Sequence, residues 1–234
     1  MRFSILLLAM LVVAPAALAQ PSFGVKAGLN TATVFFDDED GFDAPGVTKE
    51  PRLGLVAGVT ADIPFTPTLG LRLEGLYAQK GFAIDFDIED EIFGEPVDAE
   101  GKQTLRLDYV EVPVLINVMI PMQNALEIGV QGGVVPAFKI NESVGCSGFE
   151  QEVDGETIDG CVDFEEENDE PLGIKSFDLG AALGATIGSG PFAVDLRYTL
   201  GLTDLNEDDA DNFSNNNRAN NGVFSATFVY RLGR

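Results

Sequence analysis

The side chains with the most chemical potential here are carboxylates, and they come in runs: Asp37-Asp38-Glu39-Asp40 and Glu165-Glu166-Glu167-Asn168-Asp169-Glu170. Such runs offer hard oxygen ligands to divalent cations. Neither has the ligand spacing of an EF-hand loop, so we read them as solvated acidic loops, with weak divalent-cation binding as the functional alternative. The chain has no histidine, which removes the side chain that most often acts as a general base near neutral pH. No carboxylate pair stands out by its spacing, so no catalytic residue is assigned and no enzymatic activity is expected. The glycine-rich stretch from Gly180 to Gly190 lacks the following Lys-Ser/Thr of a phosphate loop. No metal or cofactor site follows from these patterns.

Cys146 and Cys161 are the two cysteines of the chain. They lack the C-x-x-C spacing of a redox or zinc motif. In an oxidising compartment they are expected to pair, stapling a loop of about 15 residues worth on the order of 3 kcal/mol.

The compartment is set by the first residues. Met1-Arg2 give a short positive start, Phe3 to Ala14 form an apolar run, and Ala17-Leu18-Ala19 precede Gln20. That is the pattern of a secretory signal, with cleavage between Ala19 and Gln20. Residues 1–19 are therefore set aside, and 20–234 are read as one domain. No later run reaches the roughly 20 apolar residues that a spanning helix needs.

The mature chain alternates with a period of two. In FAVDLRYTLGL, Phe192, Val194, Leu196, Tyr198, Leu200 and Leu202 share one face, and Asp195, Arg197 and Thr199 share the other. Eight such segments can be placed, at roughly 22–36, 52–63, 69–84, 104–120, 125–141, 174–188, 191–204 and 222–233. The fourth is expected to change phase through a bulge near Pro113. Short connections at 64–68, 121–124 and 188–191 alternate with long ones at 37–51, 85–103, 142–173 and 205–221. Short turns at one end and long loops at the other are the layout of an outer-membrane barrel.

The charges follow the same division. The formal net charge is −24, which argues against nucleic-acid binding. Thirty-one of the 38 acidic residues fall in 37–50, 85–100, 142–170 and 204–211. Most of the cations fall instead within strands, on the face away from the bulky apolar residues. An unpaired charge is costly to bury in a dry core, so these cations call for an ionic interior. The expected lumen network is Lys26, Arg52, Arg72, Glu74, Arg106, Asp108, Glu127, Lys139, Asp178, Asp195, Arg197 and Arg231. Glycines such as Gly24, Gly28, Gly58, Gly129 and Gly184 interleave this face, as a crowded interior requires. The apolar face would then meet outer-membrane lipid. A soluble lipocalin-like barrel is the alternative, with its apolar face turned inward around a ligand.

The expected fold is thus all-β: an eight-stranded antiparallel transmembrane up-and-down β-barrel with short periplasmic turns and long acidic extracellular loops. Three segments carry a family likeness: Phe23-Gly24-Val25-Lys26-Ala27-Gly28-Leu29-Asn30, Leu73 to Gly81 (LEGLYAQKG), and Leu107 to Leu115 (LDYVEVPVL). In these the chain resembles the PorT-like outer-membrane barrels of Bacteroidetes-type bacteria. That resemblance implies an eight-stranded barrel in the cell outer membrane, and its namesake serves a protein-secretion system. The expected role is structural or interactive, around a side-chain-filled lumen, with no protein partner indicated.

Overall fold

In the computed structural model, the residues that can be described are 20–36, 46–92, 95–122, 126–153, 156–159, 173–206 and 218–232. The expected signal segment 1–19, Cys161 and both acidic runs, 37–40 and 165–170, lie outside them.

Ten strands form one antiparallel sheet: β1 (Ser22–Phe36), β2 (Val47–Pro64), β3 (Leu69–Ile92), β4 (Glu95–Glu111), β5 (Val114–Pro121), β6 (Leu126–Val153), β7 (Glu156–Asp159), β8 (Phe177–Ser189), β9 (Phe192–Gly201) and β10 (Ala219–Leu232). The sheet closes on itself. β1 pairs with β10 from Phe23↔Leu232 to Phe36↔Ala219 and with β2 on its other side. β2 continues to β3, and β6, β8, β9 and β10 complete the ring. β4 and β5 both pair with β3 and with β6, so they lie end to end on one path. β7 is a short extension beside β6. Closure matters because a backbone crossing hydrocarbon must satisfy every N–H and C=O within the protein.

Period-two alternation becomes two faces. Leu53, Leu183 and Leu55 are 64, 67 and 56% exposed, whereas Arg72, Asp195 and Lys26 are 1, 1 and 3% exposed. Bulky apolar residues therefore point out and charges point in, the reverse of a lipocalin-like barrel. Aromatic side chains cluster toward both ends of the outer surface. Phe192 sits 5.7 Å from Phe228 and 5.5 Å from Tyr230 near the short-turn end, and Phe138 sits 5.3 Å from Phe177 nearer the other. This is the girdle arrangement of membrane barrels.

Glycines on the inner face let neighbouring strands approach. A Cβ on Gly28 would come within 2.6 Å of the Thr227 Cα, and one on Gly58 within 2.8 Å of the Leu76 Cα. The β8–β9 turn is only Gly190-Pro191, with Gly190 at φ +58°, where glycine carries no steric cost.

Two expectations need correcting. Pairing runs without a shift through Pro113: Leu76↔Glu111 and Leu73↔Val114 are in one register, and the Glu74 N–H donates to the Pro113 carbonyl at 3.0 Å. Pro113 interrupts the ladder because it has no N–H, and no bulge forms there. The irregularities lie instead between Pro51 and Val56 on β2, and on β6 opposite Asp108/Tyr109 and opposite Glu100/Lys102. Finally, much of the long connections is strand. β3 and β4 stay paired out to Ile92↔Glu95, and β6 runs to Val153.

Candidate functional site

β1, β2, β3 and β9 bring charges together in one buried cluster, to which β6 and β8 add the uncharged Gln131 and Thr186. The Lys26 ammonium lies 3.3 Å from Glu74 Oε1 and 3.0 Å from Asp195 Oδ1. Arg197 meets Glu74 with both terminal nitrogens, at 2.7 and 2.9 Å. Arg72 donates through Nε to Asp62 Oδ1 at 2.7 Å and through NH2 to Asp62 Oδ2 at 3.2 Å. Its NH1 turns to Asp195 Oδ2 at 3.3 Å and Gln131 Oε1 at 3.1 Å. Thr186 donates to Asp195 Oδ2 at 3.0 Å, and the Gln131 amide donates to the same oxygen. Three cations thus face three carboxylates, Asp62, Glu74 and Asp195. Charge balance is what burial of ions demands, and among the cluster's donors the buried Arg197 Nε is left without a hydrogen-bond partner.

Towards the long-connection end lies a second group. Lys80 is 2.8 Å from Glu111 Oε1 and 3.5 Å from Asp178 Oδ2, with its ammonium 4.6 Å above the Tyr109 ring. Asn221 donates to Asp178 at 2.8 Å. At the short-turn end Arg231 bonds Glu127 at 2.6 Å. Outside the 31 acidic residues of the long connections, the chain has seven carboxylates, Asp62, Glu74, Asp108, Glu111, Glu127, Asp178 and Asp195. Six of them pair with a cation in these groups.

Of the residues expected in the lumen, Lys26, Arg72, Glu74, Asp178, Asp195, Arg197 and Arg231 are buried there, and Glu127 is half-buried. Lys139 is half-buried higher up, bonded to Glu142 and to the Ile174 carbonyl at 2.6 Å. Arg52 donates to the Lys80 carbonyl at 2.9 Å and joins no carboxylate cluster among the described contacts. Arg106 is exposed, whereas Asp108 is buried, between Leu107 and Tyr109 in sequence, and accepts from Asn141 at 3.3 Å. The reason is the unbroken register through Pro113, which fixes Leu107, Tyr109, Glu111 and Leu115 on the inner face and sends Arg106 outward. Cys146 stands half-buried on β6, and its expected partner falls outside the described residues.

Asp62, Glu111, Gln131, Thr186 and Asn221 belong to the clusters but were not singled out from sequence. Their alternation with apolar neighbours was the available signal. Above the apolar belt, Lys102 contacts Glu50 and lies 3.6 Å from Asp85. The Glu50 hydrogen bond holds its ammonium above the ordinary lysine value. Among the described residues, no group of three or more His, Cys, Asp or Glu is placed to hold a metal ion.

A closed antiparallel ring with an apolar exterior and an ion-filled interior defines an outer-membrane barrel. The chain belongs to the outer membrane protein beta-barrel domain family, whose pattern matches residues 18–207. Among solved structures it is similar to the outer membrane protein OprG from Pseudomonas aeruginosa, with 15% identity, 92% of this chain and 98% of that one covered, and a TM-score of 0.40. It is similar also to Neisserial surface protein A (NspA), at 11% identity, 90% and 98% coverage and a TM-score of 0.40. The outer membrane enzyme PagL is a further likeness, at 11% identity, 90% and 99% coverage and a TM-score of 0.32. No activity passes to this chain on likenesses of that degree. No curated protein matches it.

Proposed function

We propose that the protein is an eight-staved transmembrane barrel with a plugged lumen, in a structural or interaction role and without enzymatic activity. On this reading β4 and β5 together make one stave and β7 is an accessory to β6. The observation that carries it is the buried lattice of Lys26, Arg72, Glu74, Asp195 and Arg197, which fills the cross-section with paired charges and leaves no wide path.

The reading includes a leader cleaved after Ala19, a Cys146–Cys161 disulfide, lipid around the apolar belt, and acidic loops in the medium that bind divalent cations at most weakly. The segments that resemble PorT-like barrels supply Lys26, Glu74, Lys80 and Glu111. That likeness therefore concerns how the interior is held, and we do not extend it to a part in secretion.

The test begins with separated membranes. The protein should run in the outer-membrane fraction with a mobility that shifts on boiling. Purified into a planar bilayer it should show no steady conductance. Recovery in the soluble periplasmic fraction without a shift, or large open steps, would overturn the reading. Deleting 207–217 should leave the shift intact while abolishing any surface contact the loops make.

A further inference from the structure

The interior is not ionic throughout. At its long-connection end, beyond the Lys80–Glu111–Asp178 group, a partly open cavity of about 240 Å³ is walled by Val34, Phe82, Leu105, Leu107 and Leu205. Phe82, Val34, Leu205 and Ala219 form one buried cluster there, and Leu105 and Ile174 join it to the Leu107–Tyr109 cluster below. Apolar side chains pointing into a lumen are wasted on lipid, and where the cavity opens their packing against one another is incomplete. Among the described residues, the only polar side chains that line it are the amides Gln103 and Asn206, and no charged side chain does. A lone charge placed there would lose its hydration without a partner.

We infer that this mouth is a binding site for a small neutral apolar molecule, taken up from the long-connection side. Its size follows from volume. A cavity of roughly 150 Å³ accommodates benzene, so this one suits a molecule of about ten non-hydrogen atoms. Its charge class follows from two observations. The lining offers amides and no ion, and the connections at this end hold most of the carboxylates of a chain with net charge −24, a field that repels anions. The paired charges beneath stop the molecule from passing through. The site rests on the ring of strands proposed above, with Ile174, Leu205 and Asn206 of the adjoining connections completing its wall, and it adds a ligand to that reading.

Indole is a suitable probe, being neutral, water-soluble and of that size. Methyl-labelled protein in detergent should show cross-peaks from indole to Val34, Leu105, Leu107 and Leu205. Ala219→Phe, which fills the cavity, should weaken binding by at least about tenfold while keeping the heat-dependent shift; Val34→Phe serves if that variant fails to fold. Indole-3-acetate, the anionic analogue, should give no such contacts. Cross-peaks confined to the outward Leu55, Leu183 and Leu196 would mean partition into detergent and overturn the site. Equal binding by the filled variant would overturn it too, and equal binding by the anion would overturn the neutral class. A wild type without the heat shift would sink the barrel along with the site. One that shifts but gives no indole contacts would sink the site alone.

Discussion

Arg197 on β9 and Glu74 on β3 meet as a two-point pair, their hydrogen bonds 2.7 and 2.9 Å long, with the carboxylate fully shielded from solvent. They stand on opposite sides of the ring, so the pair spans the lumen and ties two strands that share no backbone bond. Glu74 also serves Lys26.

Glu74→Ala should therefore remove both hydrogen bonds that Arg197 makes to a carboxylate and leave it and Lys26 to share Asp195. We expect a loss of about 3–5 kcal/mol, read from urea titration of the heat-shifting form in detergent. Replacing Glu74 and Arg197 together by leucines should cost less than the sum of the single changes, because Lys26 keeps Asp195. A loss below about 1 kcal/mol for Glu74→Ala would show that water reaches the network and screens it.

The plugged lumen predicts how conductance arises. Wild type should be silent in a planar bilayer, whereas Arg72→Ala with Arg197→Ala should admit cations, since Glu74, Asp62 and Asp195 would be left unbalanced. Silence in the double variant, with the barrel still folded, would place the barrier elsewhere.

Glycine position should matter by face. Gly58→Val pushes a side chain onto β3, with Leu76 Cα 2.8 Å from the new Cβ, and should cost roughly 1–3 kcal/mol or block assembly. Gly75→Val should be close to neutral, because the nearest atom to its Cβ is Val59 Cγ2 at 3.8 Å. Equal losses at the two sites, measured by the heat-shifting fraction, would contradict the assigned faces.

The paired extension of β3 and β4 can be read by hydrogen exchange. Amides facing each other in Ile84↔Gln103 and Phe86↔Gly101 should be protected. Exchange at the rate of an open chain would restore the loop that acidity suggests.

The ring itself was legible wherever alternation was strong. Segment 192–202 shows its faces in its spelling, and Asp195 and Arg197 do point inward. Legibility failed for three physical reasons. Acidic residues masked strand: Ile84, Phe86 and Ile88 alternate with Asp85, Asp87 and Glu89, yet the charge read as loop. Phase could not be followed through Pro113, and that misplaced Arg106. Uncharged partners such as Gln131 and Thr186 carry no sign of their own, and only the fold shows that Asp195 collects them. The apolar mouth was invisible for a related reason, since the sequence says that leucine is buried or in lipid without saying on which side of a wall it stands.

The pairing of β1 with β10 has a consequence for biogenesis. These strands lie farthest apart along the chain, yet they share the longest uninterrupted ladder of β1, from Phe23↔Leu232 to Phe36↔Ala219. Every ladder without β10 can form while the chain is still incomplete, but this seam must wait for the final strand. Until it zips, both borders of the nascent sheet present bare amides, and no interior exists to collect Lys26 with Asp195. A chaperone or insertase need recognise only one thing, an unzipped seam, to tell a finished molecule from an unfinished one.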